Sequence, residues 1–395
     1  MAIITEAPRV THERDRAVWT TNVAEVSNQR LWFSIPVEHE GLISRRSDAA
    51  LLSLLLPAMR VGKDLHVGGV VTDELLYNVN GPAQAWVRSV LPMYRPIQVS
   101  AERVEPADDR RPTGVATGFS AGVDSFSALG DYLFDGTLPD SLRITHLLFN
   151  NVGSHSSGDE LAASRLAGVR NLSSNWGIPV IDVNSNLDDQ FSNIGNNTAF
   201  MNTHTVRNAA VAHLLGRGLG TWYYASGYAF RDVHGGPSAS TAASDVISLP
   251  LLSSASLRLA SVGSERTRLE KTLQVAQIAS ARVGLDVCID GDPARERNCS
   301  RCWKCQQTLV TLDLANELEA FCPSRFDLNV YLTHRSAYMA TILSRGHPHD
   351  REIIEYAESI NFAWPKKAHR RAAISRATAT SLHAARAAKR RLNRP

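Results

Sequence analysis

The stretch Ser120-Ala121-Gly122-Val123-Asp124-Ser125 constrains this chain most, because it lies between the strand-like run Gly114-Val115-Ala116-Thr117-Gly118-Phe119 and the helical-looking Phe126-Ser127-Ala128-Leu129. A strand, a small-residue loop and a helix together make a phosphate site. Small residues let backbone N–H groups approach an anion, the helix N-terminus adds the positive end of its dipole, and Ser120 and Ser125 supply hydroxyl donors. No lysine follows, so this is not the GxxxxGK[ST] loop of P-loop NTPases. The plain alternative is a strand-to-helix turn whose serines cap the helix.

A second constellation stands far downstream. Cys299, Cys302 and Cys305 form two consecutive CxxC steps in Asn298-Cys-Ser-Arg-Cys-Trp-Lys-Cys305, and Cys288 precedes them by a loop's length. Four thiolates at this spacing can close a tetrahedral Zn²⁺ site. Five cysteines in 395 residues, four of them concentrated here, argue against a disulfide framework, and a reducing cytoplasm is the expected compartment. A closed zinc site is purely structural; the sharper alternatives are a thiol that carries sulfur as a persulfide, or an iron–sulfur cluster. Cys322 stands apart and is expected to be an inert buried thiol.

A third segment runs from His204-Thr205-Val206-Arg207-Asn208 through an alanine-rich helical stretch into Gly220-Thr221-Trp222-Tyr223-Tyr224-Ala225-Ser226-Gly227, a strand ending in glycine. Taken together, the three segments resemble the PP-loop ATP pyrophosphatases, and within them the 7-cyano-7-deazaguanine synthases. There the same order recurs: an SGGxDS loop, an Arg-Asn helix, a strand leading to an acidic loop, and a cysteine followed by CxxCxxC. The resemblance covers about residues 113–315, roughly a domain's worth of chain. It departs from the family at Ala121, where glycine is usual and where a methyl narrows the room for pyrophosphate.

The resemblance implies an α/β fold: a parallel-sheet, Rossmann-like domain of the adenine nucleotide alpha hydrolase type with a four-cysteine zinc-binding segment. Carried over residue by residue, it implies ATP contacts at Ser120, Ala121, Gly122, Val123, Asp124 and Ser125, with adenine near Leu148 and Phe149. It places Arg207 and Asn208 at the nucleotide or substrate pocket, and zinc at Cys288, Cys299, Cys302 and Cys305. Asp124, Ser125 and Arg207 are the expected catalytic residues, Asp124 holding Mg²⁺. Asp232 is a candidate for the acidic-loop position. His204 is the one histidine whose place suggests the substrate; His146, His155, His213 and His234 are scattered and read as structural.

Three domains are expected: 1–112, an amino-terminal α/β unit; 113–320, the PP-loop domain with its cysteines; and 321–395, a helical extension with a basic tail. Within them the sequence predicts strands over Arg30–Pro36, Leu65–Val71, Ile144–Phe149 and Ile178–Val183. Helices are predicted from Ser47 to about Met59, over Asp159–Trp176, and from Tyr331 to Tyr356 with Pro348 interrupting. The acidic, proline-bearing Glu105–Pro112 reads as a linker. Such βαβ alternation implies a parallel sheet whose ligands bind at the strands' carboxyl ends, where the serine loop, Phe149-Asn150-Asn151 and Val183-Asn184 should converge.

Composition, at 44% hydrophobic and 21% charged residues, fits a soluble enzyme, and no apolar run is long enough for a membrane span. The net charge of +3 hides an asymmetry: from Pro365 onward there are ten basic residues and no acid. A solvated helix is the plain account of this tail and a nucleic-acid contact the sharp one. A homo-oligomer acting on a small-molecule substrate is expected.

The reaction expected is adenylation of a carbonyl or carboxylate oxygen of a small, purine-like substrate, with pyrophosphate released and AMP displaced by a nitrogen nucleophile. ATP-dependent thiolation of a nucleobase, free or in tRNA, is one alternative. A zinc-bearing, nucleotide-binding module without catalysis is the other.

Overall fold

The computed structural model describes residues 2–24, 29–108, 110–153, 159–196, 198–290, 292–295 and 297–376. His155 and the tail beyond Arg376, with Arg386, Lys389, Arg390, Arg391 and Arg394, lie outside the described residues.

Eleven strands form one sheet. They are β1 (Ile3–Thr5), β2 (Arg9–Glu13), β3 (Arg16–Ala24), β4 (Gln29–Pro36), β5 (Leu65–Thr72), β6 (Val99–Glu105), β7 (Gly114–Gly118), β8 (His146–Asn151), β9 (Val180–Ser185), β10 (Leu219–Ala225) and β11 (Arg258–Val262). The order is β11-β10-β7-β8-β9-β4-β3-β1-β5-β6, with β2 also on β3. The pairs from β11 through to β9 are all parallel. β4 then joins β9 antiparallel, Phe33 opposite Ser185 and Ser34 opposite Asn184. The result is an α/β fold on a mostly parallel sheet.

The seam between β4 and β9 is tied by charge as well as by the ladder. Arg16 donates to Asp182 Oδ2 at 2.7 Å and to the Asp182 carbonyl at 2.9 Å, and Arg170 reaches Asp182 Oδ1 at 2.7 Å. Across the same seam, Asn186 accepts from the Trp32 N–H and donates to the Arg30 carbonyl. A carboxylate this buried needs such partners, because losing both would leave its charge uncompensated.

The sheet crosses the expected boundary at residue 112 without a break, and the compact units follow other limits than the sequence landmarks. One unit comprises 1–120 and 124–265, the other 121–123 and 266–395. The amino-terminal strands therefore belong with the parallel sheet, because β4 pairs β9, and the cysteines belong with the carboxy-terminal helices. In the first unit the helix Asp48–Val61 is buried along nearly its whole length, as its near-continuous apolar run requires, and shares a core with the helix His204–Leu214.

In the second unit the helices Arg268–Ala276, Trp303–Leu314, Leu328–Arg345 and Pro348–Ser359 surround Leu269, Leu309, Tyr331, Met339 and Ile353. Thr267 and Glu270 form a reciprocal capping box at the start of the first. Pro348 opens the last at its first turn, where the missing N–H costs nothing. Residues 366–376 are helical; Ala368 and Ala372, one turn apart, are fully buried, while Lys366, Lys367, Arg370, Arg371 and Arg376 are exposed. Among the described residues no helix is long and apolar enough to cross a membrane.

Candidate functional site

The serine loop leaves the end of β7, the central strand of the parallel set. From β7 the order runs one way through β8 to β9 and the other way through β10 to β11. Such a reversal opens a crevice at the carboxyl ends of the strands. Phe119, the last residue before the loop, donates its N–H to the Leu148 carbonyl at 2.9 Å and packs edge-on against Phe126. The helix Val123–Tyr132 starts within the loop. Ser120 is exposed, Gly122 and Asp124 are half-buried, and Val123 and Ser125 are buried.

Ala121, the departure from the glycine pattern, holds φ = 57°. That is the left-handed region where glycine is at home and an L side chain is strained by roughly 1–2 kcal/mol. The loop thus keeps a glycine-type backbone with a methyl on it. Within the second unit, its carbonyl accepts the Asp286 N–H at 2.8 Å.

Amide side chains meet at the ends of β8 and β9. Asn150, in β8, donates to Asn208 Oδ1 at 2.8 Å, and Asn208 in turn donates to the His204 carbonyl at 2.8 Å. Asn151 reaches Asn184 of β9 at 3.4 Å. Leu148 and Phe149 bury their side chains, and the Leu148 carbonyl already accepts from Phe119.

Arg207 lies deeper than a substrate contact would. It is 1% exposed, with its guanidinium 3.9 Å from the Phe191 ring centroid and 5.3 Å from that of Phe200. Its Nε donates to Thr203, and Nη1 donates to the Val152 carbonyl and to Asp188 Oδ1. Gly153, at φ = 99°, makes room for it, since a Cβ there would fall 2.3 Å from Nη1. Asp232 sits in a short 3₁₀ turn, Phe230–Asp232, and is half-buried.

A buried polar cluster that sequence reasoning missed, apart from His204, occupies the end of β10. His204 Nδ1 lies 2.7 Å from Tyr224 Oη, and His204 Nε2 lies 3.3 Å from Thr241 Oγ1. Thr241 Oγ1 is 2.9 Å from Thr205 Oγ1, which donates to Asp245 Oδ1 at 2.7 Å. His204, Thr205, Thr241 and Asp245 are buried, and Tyr224 keeps part of its surface exposed. Burial, opposed by the Thr205 hydrogen bond, raises the Asp245 carboxyl to about 8. Burial and then the Arg207 charge lower the His204 imidazole to about 4. Burial, then Asp245 and Asp124, push the Tyr224 phenol well up. In the sequence Asp245 looks only like an acid opening a helix; its partners are brought to it by the fold.

The second unit gathers Cys288, Cys299, Cys302 and Cys305 with all four sulfurs within 4.8 Å of one another. Cys299 and Cys305 sulfurs lie 3.8 Å apart, and those of Cys302 and Cys305 3.3 Å apart. Zinc bonds of about 2.3 Å in a tetrahedron require sulfur–sulfur distances near 3.8 Å, so the set fits a metal such as zinc. Backbone N–H groups of Cys299 and Asp290 point to Cys288 Sγ, and that of Cys302 to Cys299 Sγ. Asn298 fixes the loops, accepting the Val287 N–H and donating to the Leu285 and Arg325 carbonyls. Hydrogen bonds with Cys288 and Cys305 lower the Cys302 thiol, and hydrogen bonds with Cys288 and Cys302 raise that of Cys305, so the crowded thiols resist ionising together. Cys322 is half-buried, and burial raises its thiol.

A groove of about 630 Å³ lined by Trp19, Ile43, Arg45 and Arg217 lies by the start of β10, whereas the serine loop and the Asp245 cluster belong to strand carboxyl ends. Comparison with protein-family models, with curated proteins and with solved structures gives no match.

Proposed function

We propose that the chain is an ATP-dependent, AMP-forming enzyme of the PP-loop type. It adenylates a carbonyl or carboxylate oxygen of a small molecule and lets a nitrogen nucleophile displace AMP. The observation that carries this reading is the position of the serine loop, on the central strand at the reversal of strand order, with residue 121 in a left-handed conformation and a helix beginning directly behind it.

In this reading, loop N–H groups, the helix dipole and the hydroxyls of Ser120 and Ser125 hold the ATP phosphates. Asp124 is the carboxylate that would hold Mg²⁺, which neutralises phosphate charge when bound. Asn150 and Asn208 present amides at the crevice rim. Arg207 supports the crevice wall. Most of the rate gain comes from positioning and charge neutralisation, so no side chain need be modified covalently. Zinc, if held by the four thiolates, would have no open position, which supports a structural role and nitrogen rather than sulfur chemistry.

The test is product analysis after incubation with ATP, Mg²⁺, purines or simple carboxylates, and ammonium. AMP with pyrophosphate supports the proposal; ADP with phosphate, or no turnover across the panel, refutes it.

A further inference from the structure

Tyr224, His204, Thr241, Thr205 and Asp245 form a single hydrogen-bonded file from the phenol at the end of β10 to a fully buried carboxyl. With the imidazole proton on Nε2, every link donates in one direction. The Tyr224 hydroxyl gives to His204 Nδ1, Nε2–H to Thr241, the Thr241 hydroxyl to Thr205, and the Thr205 hydroxyl to Asp245 Oδ1. The other carboxyl oxygen, Asp245 Oδ2, is buried with no hydrogen-bond partner among the described residues. A buried carboxyl left half satisfied costs about 1–3 kcal/mol, which a purely structural network would be expected to avoid.

We propose that this file is a proton relay, in which Tyr224 takes a proton from the reacting nucleophile and Asp245 is the final acceptor. The proposal rests on the adenylation reading of the site, for the following reason. When an amine or ammonia attacks the adenylated carbon, a C–N bond forms, the C–O bond to AMP breaks with its electron pair leaving on AMP, and one N–H proton must go elsewhere. That proton passes to Tyr224 Oη while the phenolic proton moves to His204, and the shift continues until an O–H bond forms on Asp245. The atoms and charge balance without any further reactant. Asp245 returns the proton along the same file after product leaves.

The charge environment suits the task. β10 runs parallel beside β7 with Tyr223 opposite Thr117, so Tyr224 stands at the same strand ends from which the serine loop leaves. The carboxyl at the other end titrates near the pH of the reaction, as a base should, while the intervening imidazole stays neutral and can both accept and donate. Tyr224 is the residue that meets the nucleophile; His204, Thr241, Thr205 and Asp245 act through it.

Two measurements test this. On the protein alone, infrared difference spectra of wild type against Asp245→Asn should show a protonated carboxyl band that disappears as pH rises, with its midpoint near 8. A carboxyl that stays protonated well above pH 8 has no form able to accept the proton and overturns the relay. In the reaction, Asp245→Asn keeps the shape and the Thr205 hydrogen bond but cannot take the proton. It should leave the first-turnover burst of pyrophosphate intact and slow ammonium-dependent product formation by about 10²-fold or more. Hydroxylamine, far less basic than ammonia, should restore most of the rate. Tyr224→Phe should show the same pattern. Equal losses with both nucleophiles, or a loss explained by a lowered melting temperature, would overturn the relay and leave a structural network. If the wild type releases no AMP under any condition, the adenylation reading fails separately, and the infrared result alone decides whether Asp245 stores a proton.

Discussion

The carbonyl of Ala121 accepts the backbone N–H of Asp286 at 2.8 Å, so the residue at the strained position of the serine loop is tied two residues ahead of the first cysteine of the metal cluster. Within the second unit, a backbone hydrogen bond joins the serine loop to the cysteine segment.

The strain at Ala121 sets a first expectation. Ala121→Gly relieves roughly 1–2 kcal/mol of left-handed strain, against about 1 kcal/mol of added chain entropy and a lost buried methyl. The variant should therefore stay within about 0.5 kcal/mol of wild type, whereas Ala128→Gly, at a buried position inside the following helix, should lose about 1.5–2 kcal/mol. Ala121→Val should be worse than either, because a β-branched residue resists positive φ. Urea denaturation of the three variants checks the order.

Arg207 is expected to matter for the fold. Its guanidinium lies between Phe191 and Phe200 and ties Thr203, Val152 and Asp188 together, so Arg207→Lys, which loses the planar fork, should cost about 2–3 kcal/mol. A variant with an unchanged melting temperature and only a raised KM would place the side chain on the substrate instead.

His204 and Asp245 act in opposite senses on stability. His204 is lowered from 6.5 to about 4, so the folded state binds fewer protons than the unfolded chain in that window, and stability is lost as pH falls through it. Asp245 is raised from 3.8 to about 8, so its contribution is present at low pH and is lost as pH rises. The two nearly cancel from about 4 to 6.5, and between 6.5 and about 8 Asp245 alone remains, with a slope of about 1.4 kcal/mol per pH unit. Wild type minus Asp245→Asn, compared by chemical denaturation over that alkaline range, should show this slope; a flat difference would place the Asp245 carboxyl outside the buried, raised state.

For the cysteine cluster, purified protein should hold about one Zn²⁺ per chain, and replacing any one of Cys288, Cys299, Cys302 and Cys305 by serine should lower metal content and melting temperature together. A serine variant that keeps its metal and its stability but loses a thiolated product would reinstate sulfur delivery.

The parallel core was legible because its signals are local. β7, β8 and β9 are short apolar runs bounded by polar residues, and the cysteine spacing states its own geometry. The helix breaks at Pro348 for a similar local reason. What was not legible is long-range. No pattern in Gln29–Pro36 says that it pairs antiparallel with Val180–Ser185 and so merges the amino-terminal strands into the same sheet. Arg207 carries the motif position of a ligand contact, yet the phenyl rings of Phe191 and Phe200, distant in local pattern, enclose it. Thr205, Thr241 and Asp245 are ordinary residues in the sequence, and only the approach of the segment after β10 to the helix His204–Leu214 makes them one network.

Whether the serine loop handles ATP is decided by comparing AMP and pyrophosphate release by wild type and by Asp124→Asn, each with ATP, Mg²⁺ and the substrate panel. The wild type should release AMP and pyrophosphate in equal amounts, and Asp124→Asn should lose at least 10²-fold of that rate while melting at the wild-type temperature. Equal AMP release from both proteins, or ADP as the product, would contradict it.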